Sequence, residues 1–225
     1  MDGAAVVILV VDMPFDQFGE LYADAKLWFN EGWVDYFSPQ LYWPIAQEKQ
    51  SFPKLLEWWV GQNTKNRRLW PGLYTSRVTG AEKGWRPKEV VDQVEIARKH
   101  LGAGGTIHFS MKALMRNPEG LADEVRKVYT EPALVPEMPW LASGKLPAKP
   151  EVKRETVNGR DILRIQADTG TRFVVARGLS ADQETVAVRG PAEEGIVSIP
   201  LPKAERVFVS TIDRTGRESD AVEVK

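Results

Sequence analysis

Gln40, Tyr42 and Trp43 are the residues of this 225-residue chain whose types and spacing point most directly to chemistry. They close the run Gly32-Trp33-Val34-Asp35-Tyr36-Phe37-Ser38-Pro39-Gln40-Leu41-Tyr42-Trp43. An amide beside two aromatic side chains suits a sugar. The amide pairs with hydroxyls, and the rings cover the apolar C–H faces of a pyranose. Tyr74 and Ser110, near the ends of two later strand-like runs, complete a candidate substrate-binding set. The competing reading is that Tyr42 and Trp43 merely pack a strand onto the next helix.

Cleaving a glycosidic bond usually takes two carboxylates roughly 5–10 Å apart. Asp12 and Asp16, at the end of the first apolar run, are the best-placed candidates for catalysis. Glu48 follows the second run, Asp35 starts it, and Asp24 and Glu31 belong to a helix. For each, a solvated or capping carboxylate is the competing reading. His108 lies inside a strand-like run, either facing substrate or hydrogen-bonded in a core. His100 ends a helix, where positive charge is favourable without any function. With two histidines and no cysteine, no metal site is expected. No cofactor is expected either. Gly102-Ala103-Gly104-Gly105 precedes a strand rather than a helix, so it reads as a helix terminator, not a phosphate loop. Ser110 lacks the nucleophile-elbow context. Lys112 and Arg77 follow strand ends and could contact acidic or N-acetylated sugar groups, the alternative being plain solvation.

These residues need elements to hold them. Val6–Val11 is a continuous β-branched run, as for a strand buried on both faces. A helix is expected over Leu21–Asn30, then a strand over Val34–Tyr42. Ser51 can cap a helix through Leu55, Leu56, Trp59 and Val60. A third strand spans Leu69–Thr75. Pro87 suits the first turn of a helix with Val90, Val94, Ala97 and Leu101 on one face. A fourth strand covers Thr106–Met111, and Asn117-Pro118 opens a last helix to Tyr129. Strands alternating with helices imply a parallel sheet with right-handed crossovers. Four such units make half a barrel or a small open sheet. Pro39 and Pro71 should end or bulge their strands. A nucleotide-binding sheet would need a glycine-rich strand-to-helix turn, which the chain lacks.

Composition changes near Pro150. All eight tryptophans precede it. Residues 132–150 are proline-rich and read as a linker strapped to the first region through Met138, Trp140 and Leu141. Beyond come short alternating runs: Ile162–Ala167, Thr171–Arg177, Thr185–Arg189, Ile196–Leu201, Val207–Ile212 and Ala221–Val224. That spacing predicts an all-β immunoglobulin- or fibronectin-III-like sandwich.

The bulk numbers bound the partners. A net charge of -1 gives no broad field to attract nucleic acid or an anionic membrane. The apolar run near the start is far shorter than the ~20 residues of a membrane span. It has no basic residue before it and no small-residue cleavage site after it, so no signal peptide is visible.

One family fits these residues. Phe18-Gly19-Glu20-Leu21-Tyr22-Ala23-Asp24, the run Gly32 to Trp43, and Leu55-Leu56-Glu57-Trp58-Trp59 resemble the glycosyl-hydrolase-like 10 family of bacterial glycan hydrolases. The likeness continues through Leu69-Trp70-Pro71-Gly72-Leu73-Tyr74, Trp85-Arg86-Pro87, Phe109-Ser110, Pro132-Ala133-Leu134-Val135-Pro136 and Pro139-Trp140-Leu141. The resemblance implies an α/β fold: the C-terminal half of a (β/α)8 TIM barrel over residues 1–141, a linker at 142–150, and the sandwich over 151–225. It implies glycan strands as substrate, in some members peptidoglycan stripped of its peptides, and commonly an exported protein. The family's paired-aspartate motif, at the end of the fourth strand, has no counterpart here, and the chain corresponds to the barrel from near its fifth strand. Val10-Val11-Asp12-Met13-Pro14-Phe15 only loosely resembles the family's serine-proline-phenylalanine-glycine at that strand's end. The expectation is therefore a hydrolase-like protein lacking its catalytic aspartates. The alternative is a non-catalytic glycan-binding or partner-binding module that pairs with a copy of itself or with a separate N-terminal barrel half.

Overall fold

The structure is a computed structural model that describes residues 6–10, 17–134, 136–142, 144–190 and 195–224. The chain divides into two compact units, one ending at Thr130 and one starting at Glu131.

The first unit is a parallel sheet with helices. Its strands are β1 (Val6–Val10), β2 (Tyr36–Gln40), β3 (Arg68–Leu69), β4 (Gly72–Leu73) and β5 (Ile107–His108). The order is β1-β2-β4-β5, with β3 also on β2, and every pairing is parallel. Spatial order therefore follows chain order. Pro71 explains why one expected strand is two short ones. Proline cannot donate to a ladder, so pairing stops at Trp70-Pro71 and resumes at Gly72. Pro39 stays inside β2, which ends one residue later.

The helices are α1 (Gln17–Leu21), α2 (Ala25–Asn30), α3 (Phe52–Gly61), α4 (Pro87–Lys99), α5 (Met111–Arg116) and α6 (Leu121–Val128). The helix expected over residues 21–30 is shortened: Tyr22 takes φ 54, and Asp24 starts a new helix by accepting the Leu27 N–H through Oδ1 at 2.8 Å. Ser51 holds the N-cap position of α3, but its side chain makes no cap bond; its carbonyl accepts from Leu55. Leu101, expected on the buried face of α4, lies past its end and is fully exposed. The strand expected over residues 106–111 pairs only at Ile107–His108, and Met111 already begins α5.

The core of this unit lies between one face of the sheet and the helices. Phe37, Leu41, Leu69 and Leu73 supply the sheet side. Phe52, Leu56 and Trp59 of α3, and Val90, Val94 and Ala97 of α4, cover it at the i, i+4, i+7 spacing of a helical stripe. Phe37 stacks on Phe29 at 4.9 Å and meets Trp59 at 4.6 Å.

The second unit is antiparallel throughout. Its strands are β6 (Glu151–Val157), β7 (Arg160–Gln166), β8 (Thr171–Ser180), β9 (Gln183–Arg189), β10 (Ile196–Pro200), β11 (Arg206–Asp213) and β12 (Val222–Val224). They form two sheets, β10-β7-β6 and β12-β11-β8-β9. One core joins both: Leu163, Ile165, Val197 and Ile199 from the first, Val174, Ala176, Val207 and Val209 from the second. Asn158 and Gly159 turn the β6–β7 hairpin with positive φ at both positions, as the type I′ form of a two-residue turn requires. The proline-rich strap bonds within this unit. The Met138 N–H donates to the Thr215 carbonyl at 2.8 Å, and Thr211 Oγ1 to the Ala148 carbonyl at 3.1 Å. Gly216, at φ 82, lets Pro136 pass: a Cβ there would sit 2.5 Å from the Pro136 oxygen.

Candidate functional site

Register builds the site. Gln40 is paired with Gly72, and Gly72 with Ile107, so the three form one row across β2, β4 and β5. Side chains alternate along a strand, so the residues two positions later share a face and form the next row. Those residues are Tyr42, Tyr74 and Phe109, all just past the C-terminal ends of their strands. Their rings touch in sequence. Tyr42 stacks on Tyr74 at 4.7 Å and 23°, and Phe109 lies 5.9 Å from Tyr42 and 6.4 Å from Tyr74. Trp85 meets Tyr74 edge-on at 6.1 Å. The two tyrosines are half-buried, while Phe109 is 52% exposed. Tyr42 and Tyr74 turn one face each to the other, and the ring faces and edges left open at the strand ends suit the apolar C–H groups of a sugar.

Each ring is held. Gly72 sits beneath Tyr42: a Cβ there would lie 3.7 Å from Tyr42 Cε1 and 3.2 Å from the Pro39 oxygen. The loop after β2 is tied to α4. Gln93 Nε2 donates to the Trp43 carbonyl at 3.1 Å and to Glu89 Oε1 at 2.9 Å, and Glu89 Oε1 accepts the Ile45 N–H at 2.8 Å. Phe109 is fixed through its backbone: its N–H donates to the Leu73 carbonyl and its carbonyl accepts the Ser76 N–H at 2.8 Å. The bond to Ser110 is cis. Ser76 Oγ accepts the Ser110 N–H at 2.9 Å and meets Ser110 Oγ at 3.3 Å.

Burial, aided by neighbouring Tyr74, pushes the Tyr42 phenol up to about 12, so it stays neutral and can donate a hydrogen bond at any ordinary pH.

The residues singled out in the sequence fall in different places. Gln40 heads the row beneath Tyr42. Tyr42 and Tyr74 come together. Trp43 is half-buried, with its carbonyl bound by Gln93, and among the described residues it takes no part in the ring contacts of the row. Ser110 sits beside the row, bonded to Ser76. Asp12 and Asp16 lie outside the described residues. His108 is in register with Leu73 and so shares its helix-covered face. There Nδ1 bonds Thr75 Oγ1 at 2.8 Å and Nε2 meets the Tyr129 hydroxyl at 3.3 Å, and burial lowers its pKa. That fits the hydrogen-bonded one of the two readings, with the ring partly rather than fully buried. Gly104 and Gly105 face the Trp70 indole, 3.4 Å from where each would carry a Cβ. Phe109 and Trp85 were not among the candidate site residues; a Phe directly past the expected strand centre was the available signal.

No family model matches the chain. By sequence it is similar to bacterial proteins named glycosyl hydrolases. It is 36% identical over 144 residues to glycosyl hydrolase YngK of Bacillus subtilis, covering 62% of this chain and 28% of that protein. It is 35% identical over 57 residues to glycosyl hydrolase DigH of Escherichia coli K12, covering 25% of this chain and 13% of DigH. The chain thus spans little more than a quarter of the longer of these two matches. Among solved structures, the glycoside hydrolase domain of Endo-D from Streptococcus pneumoniae R6 overlaps 36% of this chain and 15% of its own, at 14% identity and a TM-score of 0.25. An engineered protein overlaps 85% of this chain and 47% of its own, at 12% identity and the same TM-score. Among the described residues no helix is long and apolar enough to cross a membrane.

Proposed function

We propose that this chain is the C-terminal half of a glycoside-hydrolase-like (β/α)8 barrel followed by a β-sandwich, and that it holds bacterial glycan strands on the row Tyr42–Tyr74–Phe109. The row itself carries the reading: three touching rings at the C-terminal ends of three adjacent parallel strands. Barrel enzymes keep their sites at that end. Strand order that follows chain order without reversal supports a barrel over an open doubly wound sheet. The glycosyl hydrolase names of the relatives support a sugar as ligand. Gln40 and Ser110 would pair with sugar hydroxyls beside the rings, and Trp43 would extend the surface. Peptidoglycan stripped of its peptides fits as substrate. The row holds no carboxylate, so acid–base chemistry would need others, Asp12 and Asp16 being the candidates within the chain. Calorimetric titration with peptide-free glycan-strand oligosaccharides tests this. Tyr74→Ala should weaken binding about tenfold, and Trp43→Ala by less. Unchanged affinity in Tyr74→Ala would overturn it.

A second reading is a module that pairs with another barrel half or a copy of itself. Among the described residues β1 pairs only with β2 and β5 only with β4, so both ends of the sheet present strand edges. Light scattering decides it: a monomer that melts cooperatively contradicts self-pairing.

A further inference from the structure

Beside the aromatic row lies a cleft of about 340 Å³, between the turn after β4 and helix α5. Ser76 and Thr79 line one side, Lys112 and Arg116 the other, with Val78, Ala113 and Pro118 as its apolar wall. Lys112 and Arg116 stand one helical turn apart on α5, so both charges face the same space, and like charges at that spacing oppose each other. Among the described residues neither cation is in an ion pair, and no carboxylate lines the cleft. Glu119, next to Pro118, is taken by Arg86. Two convergent unpaired cations in a concave space are relieved by an anion. Arginine adds a planar fork that matches a carboxylate bidentately. The two hydroxyls can pair with sugar hydroxyls, and the apolar wall suits C–H groups. Ser76 also bonds Ser110, directly after Phe109, so the cleft continues the row.

We infer that this cleft binds the carboxylate of an acidic sugar, which rests on the glycan-binding reading of the row and gives the carboxylate of such a strand a place beside it. The test uses the full chain, labelled with 15N on its amides and 13C on its aromatic rings. It is titrated with D-glucuronate, D-glucose, inorganic phosphate and a neutral oligosaccharide. Glucuronate should shift the amides of Ser76, Thr79, Lys112 and Arg116 saturably, about tenfold more tightly than glucose. Raising salt from about 0.02 to about 0.3 M should weaken it several-fold. Lys112→Gln with Arg116→Gln should abolish the preference. Arg116→Lys, which keeps the charge and spares the helix, should lose about fivefold. Equal binding of glucose and glucuronate, or shifts that survive the double substitution, would overturn the inference. Tighter phosphate than glucuronate would overturn the carboxylate assignment. The neutral oligosaccharide reads the row separately at the Tyr42, Tyr74 and Phe109 rings. Loss there with the cleft intact fails the row alone; the reverse fails the cleft alone.

Discussion

The rings of Tyr42 and Tyr74 stack at 4.7 Å although they leave different strands, because each lies two residues beyond one partner of the Gln40–Gly72 pair. Parallel register thus converts two separate sequence positions into one surface. The stack is worth about 0.5–1.5 kcal/mol beyond its buried area, so it orders both rings before any ligand arrives.

Replacing Tyr42 separates its ring from its hydroxyl. Tyr42→Ala should lose about 1–3 kcal/mol of oligosaccharide affinity. Tyr42→Phe, which keeps the stack, should lose about 1 kcal/mol or less, the size of one neutral hydrogen bond. Isothermal titration checks both. Equal losses would mean that the face of the ring is not the contact.

The alkaline titration of Tyr42 is a second check. Its folded value, near 12, exceeds the ordinary 10.0, so the folded state holds the phenolic proton more firmly. Stability from this group is complete below pH 10 and is lost as pH rises toward 12. Ultraviolet or NMR titration should show a late phenol transition that disappears in Tyr42→Phe. Tyr74→Phe should bring it earlier, while burial keeps it above 10.

His108 works in the opposite direction. Burial disfavours its charged form, so its pKa lies below the ordinary 6.5. The unfolded chain binds the proton first, and stability should fall as pH drops below about 6.5. His108→Leu should remove that slope and leave buried Thr75 Oγ1 without its partner, costing about 1–3 kcal/mol in chemical denaturation.

Gly72→Ala tests the row from below. The new methyl would meet the Pro39 carbonyl at 3.2 Å, a backbone atom with little room to move. A loss of about 1–3 kcal/mol of stability is expected, with weaker glycan binding through the displaced Tyr42 ring. A melting temperature equal to wild type would contradict the close approach.

The helical stripes of α3 and α4 were legible because apolar residues recur at i, i+4 and i+7, and the runs from Ile162 to Ile212 were legible because they alternate. Strand β6 was not. None of its residues is buried; it is held by backbone pairing to β7 and by contacts such as Arg154 with Asp161, which leave no apolar pattern. Helix α5 was missed because six residues carry too little period, and Asn117, at φ 49, ends it. Of the site, residue type alone offered Gln40, Tyr42 and Trp43 as candidates for a sugar, with packing of the strand as the rival reading. That Tyr42 meets Tyr74 and Phe109 while Trp43 does not join them depends on register, which a single strand's sequence does not encode. Of the cleft, Lys112 drew notice in the sequence as a cation past a strand end, whereas Arg116 did not, because only helix α5 brings the two together.

The most direct measurement is a titration of the ring-labelled chain with a peptide-free glycan-strand oligosaccharide, following each aromatic signal by NMR. Saturable shifts at Tyr42, Tyr74 and Phe109, with one common affinity and before any ring of the second unit responds, are the predicted result. Shifts confined to the second unit, or none at concentrations of about 10 mM, where even a weak contact of roughly 3–4 kcal/mol would register, would contradict the account.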